Sequence, residues 1–331
     1  MKIERKKLIE TLAKVQPGLA SKEIIEQSKS FVFKGGKVQT YNDEISVSAK
    51  TDLDIEGAVK AEELYKLLNK SQAKEVDLEA TDSELQLKTK ASRAGIVLES
   101  EINLPLDQIS KPGKPQPLPE DFKEAVKFCL FSVSSDMTKP VLTCLYVTGL
   151  IVTSCDNFRL TAKDMKTTIK DKFLLPSAAA KELLKYEPTH YSVSDAWIHF
   201  KCEGGVVFSC RTYEKEYPDV SGLLDVKGKK IKFPKRTKGM LDRASVFATT
   251  EFSQDSQVEV TVKDGTMMIH GKGEGGWFKE KSKVEYKGKE VKFTVNPDFL
   301  SQMLDILDEA TVGENSLKLE GEGFVHVVSL M

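Results

Sequence analysis

Cys155 and Asp156 are the adjacent pair with the makings of a nucleophile and an orienting carboxylate. Thiol catalysis also needs a base, and no histidine lies near them in sequence. The four histidines (190, 199, 270 and 326) are scattered, with no two at the helical spacing that builds a zinc site. Gly271-Lys-Gly-Glu-Gly-Gly276 has the look of a phosphate cradle. It runs into Trp277-Phe-Lys-Glu-Lys-Ser-Lys-Val, a strand pattern, where nucleotide binding requires the start of a helix. It therefore reads as a hairpin loop. The sequence has no Walker A run, H-E-x-x-H or G-x-S-x-G. Five cysteines (129, 144, 155, 202 and 210) are odd in number, form no C-x-x-C pair and sit in apolar stretches, so they are expected as reduced core residues. Neither catalysis nor a metal or cofactor is expected.

What remains is binding, and charge limits its form. Lys and Arg number 49 against 50 Asp and Glu, a net charge of −1. Bulk charge alone cannot hold nucleic acid, though basic residues gathered on one face could. Apolar residues make up 40% and charged ones 30%, an ordinary soluble composition. No apolar run approaches the roughly 20 residues of a membrane span. Met1-Lys-Ile-Glu-Arg-Lys-Lys lacks a secretory apolar stretch, so a cytoplasmic protein is expected.

The elements that would position a binding face recur three times. Val59-Lys-Ala-Glu-Glu-Leu-Tyr-Lys-Leu-Leu68 reappears as Leu175-Pro-Ser-Ala-Ala-Ala-Lys-Glu-Leu-Leu184 and as Val295-Asn-Pro-Asp-Phe-Leu-Ser-Gln-Met-Leu304, at steps of 116 and 120 residues. Each copy leaves an apolar strand, enters a helix through a polar or small residue and closes on a paired doublet. The period is too long for a solenoid and fits three domains. Each third also opens with an amphipathic helix: Leu8, Ile9, Leu12 and Val15; Phe122, Ala125, Val126 and Cys129; Met240, Leu241, Ala244 and Phe247. Alternating strands follow, with Gly35-Gly36 and Asp264-Gly265 as hairpin turns. In the middle third, two strands are expected on either side of Gly149. Five prolines and glycines between Asp107 and Pro119 mark a linker, and Asp225-Val-Lys-Gly-Lys-Lys a weaker break. The expectation is an α+β protein of three domains, 1–113, 114–225 and 226–331. Each domain has two helices on one face of an antiparallel sheet.

Several segments match a family in chain order. They are Met1-Lys-Ile-Glu-Arg-Lys-Lys-Leu-Ile, Ser154-Cys-Asp-Asn-Phe-Arg-Leu-Thr-Ala, Glu214-Lys-Glu-Tyr-Pro-Asp and the closing Val327-Val-Ser-Leu-Met331. With these, the chain resembles the bacterial DNA polymerase III beta subunit, the sliding clamp, over all three repeats. The family's T-D-G-H-R-L stands here as Cys155-Asp-Asn-Phe-Arg-Leu160, and its F-P-D as Tyr217-Pro-Asp219. At 331 residues the chain is short for the family, as in a trimmed or phage-encoded version.

The resemblance implies half of a ring: a head-to-tail homodimer enclosing double-stranded DNA without regard to sequence and tethering the replicative polymerase. A clamp-fold scaffold or assembly protein that no longer encircles DNA is the alternative. A head-to-tail contact gives a closed ring when its rotation closes, and phosphate contacts let such a ring slide.

The resemblance also implies a pocket in which polymerase and clamp loader dock by a short apolar peptide. By position it comprises Leu142, Cys155, Asn157, Phe158, Arg159, Leu160, Pro218, Leu223, Phe252, Val327, Val328, Leu330 and Met331, with Arg159 able to anchor the peptide. For DNA, Lys22 and Lys139 match family positions. The first helices of the outer repeats add Arg5, Lys6, Lys235 and Arg236 within stretches holding eight basic residues against two acidic ones; these equally read as solvated helix faces. The last helix works against a basic lining, with Asp298, Asp305, Asp308 and Glu309 and no base. Unpaired strand edges recruit further chains, which makes Ile96 and Leu98, with Val258 and Val260, candidates for the dimer contact, although their alternation equally suits internal strands.

Overall fold

The computed structural model describes residues 1–248, 255–304 and 306–331; Phe252 and Asp305 lie outside these. The chain divides into two compact units. One comprises Met1–Lys123, Val147–Gly149 and Lys166–Lys215, the other Glu124–Tyr146, Leu150–Met165 and Glu216–Met331.

In the first unit the alternating strands assemble into a twelve-stranded antiparallel sheet. Its order is Lys2–Glu4, Glu75–Ala80, Glu84–Lys88, Arg93–Glu99, Gly57–Lys60, Ser30–Lys34, Lys37–Tyr41, Ile45–Lys50, Val206–Arg211, Trp197–Cys202, Pro188–Ser194 and Gln116–Pro117. The first and second repeats meet in one ladder, in which Phe208 opposes Val47 and Cys210 opposes Ile45. Gly35 and Gly36 take φ of 56° and 68°, the left-handed turn their hairpin requires. Helix α1 (Arg5–Ala13) buries Leu8 and Leu12 against α2 (Ala61–Lys70), which buries Ala61, Leu64 and Leu68.

Helix α3 (Phe122–Cys129) buries Phe122, Ala125, Val126 and Cys129, and α4 (Ser177–Leu183) buries Ala179, Ala180 and Leu183. The expected pair of strands around Gly149 is one continuous strand, Cys144–Cys155. Gly149 adopts φ 56° within it instead of closing a hairpin.

The second unit holds a six-stranded sheet and a four-stranded one. The larger runs Cys144–Cys155, Arg159–Pro176, Phe324–Ser329, Ser316–Gly321, Glu309–Val312, Lys229–Lys232, the first two strands extending into the other unit. The smaller runs Gly276–Lys283, Thr266–Gly273, Val258–Lys263, Val291–Val295. Helix α5 (Thr237–Ala248) lies on the smaller sheet and against α6 (Pro297–Leu304). Asn296 caps α6, its Oδ1 accepting from the amides of Asp298 at 2.9 Å and Phe299 at 3.3 Å. The last helix is shorter than expected: Glu309 already belongs to a strand. The three copies of the repeated motif all become a strand leading straight into a helix, α2, α4 and α6. Among the described residues there are six α-helices, none long and apolar enough to cross a membrane.

The glycine run at 271–276 has a packing role as well as a turning one. A Cβ on Gly271 would meet the Ala244 carbonyl oxygen at 2.0 Å, and one on Gly273 the Phe247 carbonyl at 2.2 Å. The missing side chains let the α5 backbone lie directly on the strand. Gly271→Ala is expected to destabilise the protein by about 1–3 kcal/mol, as overpacking does. Gly275, which has nothing within 4 Å, should accept alanine with little change. Denaturant midpoints of the two variants check this.

Candidate functional site

The residues Cys155–Leu160 turn the chain between two long strands, and one carboxylate holds the turn. Asp156 Oδ1 accepts from the amides of Phe158 at 2.7 Å and Arg159 at 2.6 Å. Its Oδ2 accepts from Arg159 Nε at 3.0 Å and Nη2 at 2.8 Å. The guanidinium lies 4.2 Å from the Phe299 ring centroid, and its Nη1 donates to Gln302 Oε1 at 2.9 Å. Arg159 is therefore spent inside the fold, its side chain 12% exposed. The expected peptide anchor is a brace for the turn.

Beyond the turn, Arg159–Lys163 pairs antiparallel with Phe324–Val328, with Leu160 opposite Val327 and Arg159 opposite Val328. Successive strand residues face opposite ways, and this sorts the expected pocket into two sets. Cys155, Leu160 and Val327 form one small apolar cluster. Leu142, Tyr217, Val220, Leu224, Val226 and Val325 pack against it, partly exposed. Val328, by contrast, is buried in the core beneath α5, with Phe158 and Leu330 against that core. Pro218 is exposed and Leu223 is 60% exposed, on the 217–226 segment that borders the first cluster. Met331 is 43% exposed and its amide donates to the Thr294 carbonyl at 3.0 Å.

Sequence reasoning missed two tyrosines here. The Tyr217 ring stacks on Tyr146 at 5.1 Å and 12°, and its hydroxyl donates to Cys155 Sγ at 3.2 Å. Burial pushes both the Tyr217 phenol and the Cys155 thiol up, so both stay neutral and Cys155 is a packing residue rather than a nucleophile. All five cysteines are buried, and none forms a disulfide. No cluster of three metal-ligating side chains occurs among the described residues. In the same ladder His326 is buried, its Nδ1 2.9 Å from Thr161 Oγ1, and burial pushes its pKa down to about 3.

The basic candidates divide too. Arg5 donates from Nε to the Ala73 carbonyl at 2.7 Å and from Nη1 to Leu68 at 2.9 Å, closing the end of α2. Arg236, just before α5, and Arg243 within it both grip Glu280, Arg243 at 2.7 Å. Burial works to raise the Glu280 carboxyl, but the two arginines outweigh it and hold it below its ordinary range. Lys6, Lys22 and Lys235 are exposed. Lys139 is also exposed, and its Nζ reaches Asn157 Oδ1 at 3.2 Å, joining a DNA candidate to the pocket turn.

The expected edge strands need correcting. Val258–Lys263 is laddered on both sides, so Val258 and Val260 are core, fully buried. The terminal strands of that sheet are Gly276–Lys283 and Val291–Val295. In the first unit Ile96 and Leu98 also point inward, at 9% and 5% exposure. The outward residue is Val97, at 65%, on a stretch whose second edge has a ladder only at Leu98 and Glu99.

No family model matches the chain, and no curated protein matches it. Solved structures do. The chain is similar over its whole length to a DnaN sliding clamp (DNA polymerase III subunit beta) from Pseudomonas aeruginosa bound to griselimycin, at 15% identity and TM-score 0.86, covering 98% of that chain. A DnaN sliding clamp from Bartonella birtlesii gives 16% identity and TM-score 0.86, again with 100% and 98% coverage. The DNA polymerase sliding clamp of Bacillus subtilis gives 18% identity and TM-score 0.84 at the same coverage. The chain has, from end to end, the fold of bacterial DNA polymerase III beta-subunit sliding clamps.

Proposed function

We propose that this protein is a DNA sliding clamp: a non-catalytic head-to-tail homodimer of three-domain chains (1–113, 114–225, 226–331) that encircles duplex DNA in the cytoplasm and tethers the replicative polymerase. The observation that carries the reading is the full-length likeness to solved clamps, at 100% coverage of this chain. Near-neutral net charge suits the role, because a topological link needs no strong attraction and strong attraction would slow sliding. Lys6, Lys22, Lys139 and Lys235 are the exposed cations offered to the phosphates; Arg5 and Arg236 are committed elsewhere. Retention on nicked circular duplex with release on linearisation is the expected behaviour. Equal retention on both forms would favour the scaffold alternative.

For the dimer, the stretch 93–97, laddered on one side only, and the edge strand Gly276–Lys283 replace the interior strand expected from sequence. An unpaired edge of one copy can continue the sheet of the next. A solution mass of twice 36.9 kDa is expected. Val97→Asp should shift it to that of one chain, since a charge would be forced against the partner strand; an unchanged mass rules out this edge.

For the partner peptide, the floor is Cys155, Leu160 and Val327 and the rim Leu142, Tyr217, Val220, Leu223 and Leu224. Polymerase and clamp loader would each present a short apolar segment to it. Leu160 is core, so the informative change is at the exposed rim. Leu223→Asp should weaken a polymerase C-terminal peptide at least ten-fold, about 1.4 kcal/mol. Arg159→Ala, by the same logic, should lower the melting temperature more than it lowers peptide affinity. Titration and a thermal melt of each variant read both effects.

A further inference from the structure

The four-stranded sheet of the second unit has one face under α5 and another that carries no helix among the described residues, and their chemistry differs sharply. The strand Gly276–Lys283 sends Phe278, Glu280 and Ser282 toward the covered face and Trp277, Lys279, Lys281 and Lys283 outward. In the ladder, Trp277 stands opposite Lys272, and Lys279 opposite His270. Two further lysines on this sheet are neutralised, Lys263 by Glu290 at 3.2 Å and Lys292 by Glu259 at 2.8 Å. Among the described residues Lys272, Lys279, Lys281 and Lys283 have no carboxylate within ion-pair distance. His270, in their midst, has its pKa lowered by burial first and then by Lys279, with Glu259 working against the shift and Lys272 and Lys292 adding to it.

Trp277 is 65% exposed, an unusual position for an indole, with Lys279 Nζ 5.8 Å from its ring centroid. Alternate strand residues recur about every 6.8 Å, so the lysines form an evenly spaced row beginning at the aromatic ring. We propose that this uncovered face binds single-stranded nucleic acid, with Trp277 stacking on a base and Lys272, Lys279, Lys281 and Lys283 contacting the backbone phosphates. A duplex hides its base faces and gives the indole no partner, and a run of acidic side chains has charge but no π face. An unstacked strand supplies both. The inference goes beyond the clamp reading: it concerns the outward side chains of Gly276–Lys283, whereas the dimer reading uses that strand's backbone edge.

The test uses the full-length protein and a short labelled oligothymidylate. Trp197 is 2% exposed, so quenching of tryptophan emission reports on Trp277. Quenching on titration is expected. Trp277→Ala should weaken binding by anisotropy about ten-fold, the loss of one stacked base. Lys279→Gln with Lys281→Gln should reduce the slope of log affinity against log salt by about 1.4, the signature of two lost single-strand phosphate contacts. A Lys6→Gln/Lys235→Gln variant, altered near the helices, should keep the wild-type quench. The proposal is overturned by unquenched emission, by an unchanged salt slope, or by loss of the quench in the helix variant. It is equally overturned if polyglutamate competes as well as the oligonucleotide and Trp277→Ala alters neither. None of these readouts involves loading on circular DNA, so its failure and that of the clamp reading are separable.

Discussion

The antiparallel ladder between Arg159–Lys163 and Phe324–Val328 is the constraint on which the candidate pocket depends. Its register sets Leu160 against Val327, and strand alternation does the rest. Residues adjacent in sequence are sent to different environments: Val327 to the small cluster with Cys155, Val328 to the core that α5 covers. A slip of one residue would exchange the two sets, burying the patch and exposing the core. The Asp156 carboxylate defends the register from the turn, collecting two backbone amides and the Arg159 guanidinium. That ion pair is largely buried, so removing either partner would leave a charge without compensation.

Much of the fold was legible from periodicity. The amphipathic positions Leu8, Leu12, Ala125, Val126, Met240, Leu241 and Ala244 are buried, and both glycine-marked hairpins turn where φ must be positive. Gly149 misled because a glycine between apolar runs signals a turn, whereas here the strand continues through it. Edge identity was not legible at all. The alternation of Val258 and Val260 is the same in a central strand as in an outer one, and only the order of strands in the sheet distinguishes them. Nothing in the local sequence encodes that order.

The pocket was legible by residue type and not by direction. An arginine beside an apolar cluster suggests a ligand anchor, but Arg159 has Asp156 three residues away and Phe299 and Gln302 brought in from α6. Those last two partners are more than a hundred residues distant, beyond any local reading. Tyr217 was visible only as part of the Tyr-Pro-Asp run. Its stacking on Tyr146 and its hydrogen bond to Cys155 arise from the tertiary approach of two segments. The basic residues show the same limit, because a count of cations cannot tell Lys6, which is exposed, from Arg5, which closes a helix end.

One strand condenses this sorting of charge. Along Gly276–Lys283 the period of two places Glu280 on the covered face, where it absorbs Arg236 and Arg243, and leaves Lys279, Lys281 and Lys283 outward. The helix side of the sheet is thereby made less basic than its sequence suggests, and the uncovered side more so. Net charge near zero thus conceals a local excess. A freely sliding ring would need only weak attraction on its helices. A row of unpaired lysines beside an exposed indole is suited to holding a strand, so the two faces of this small sheet are chemically equipped for different tasks.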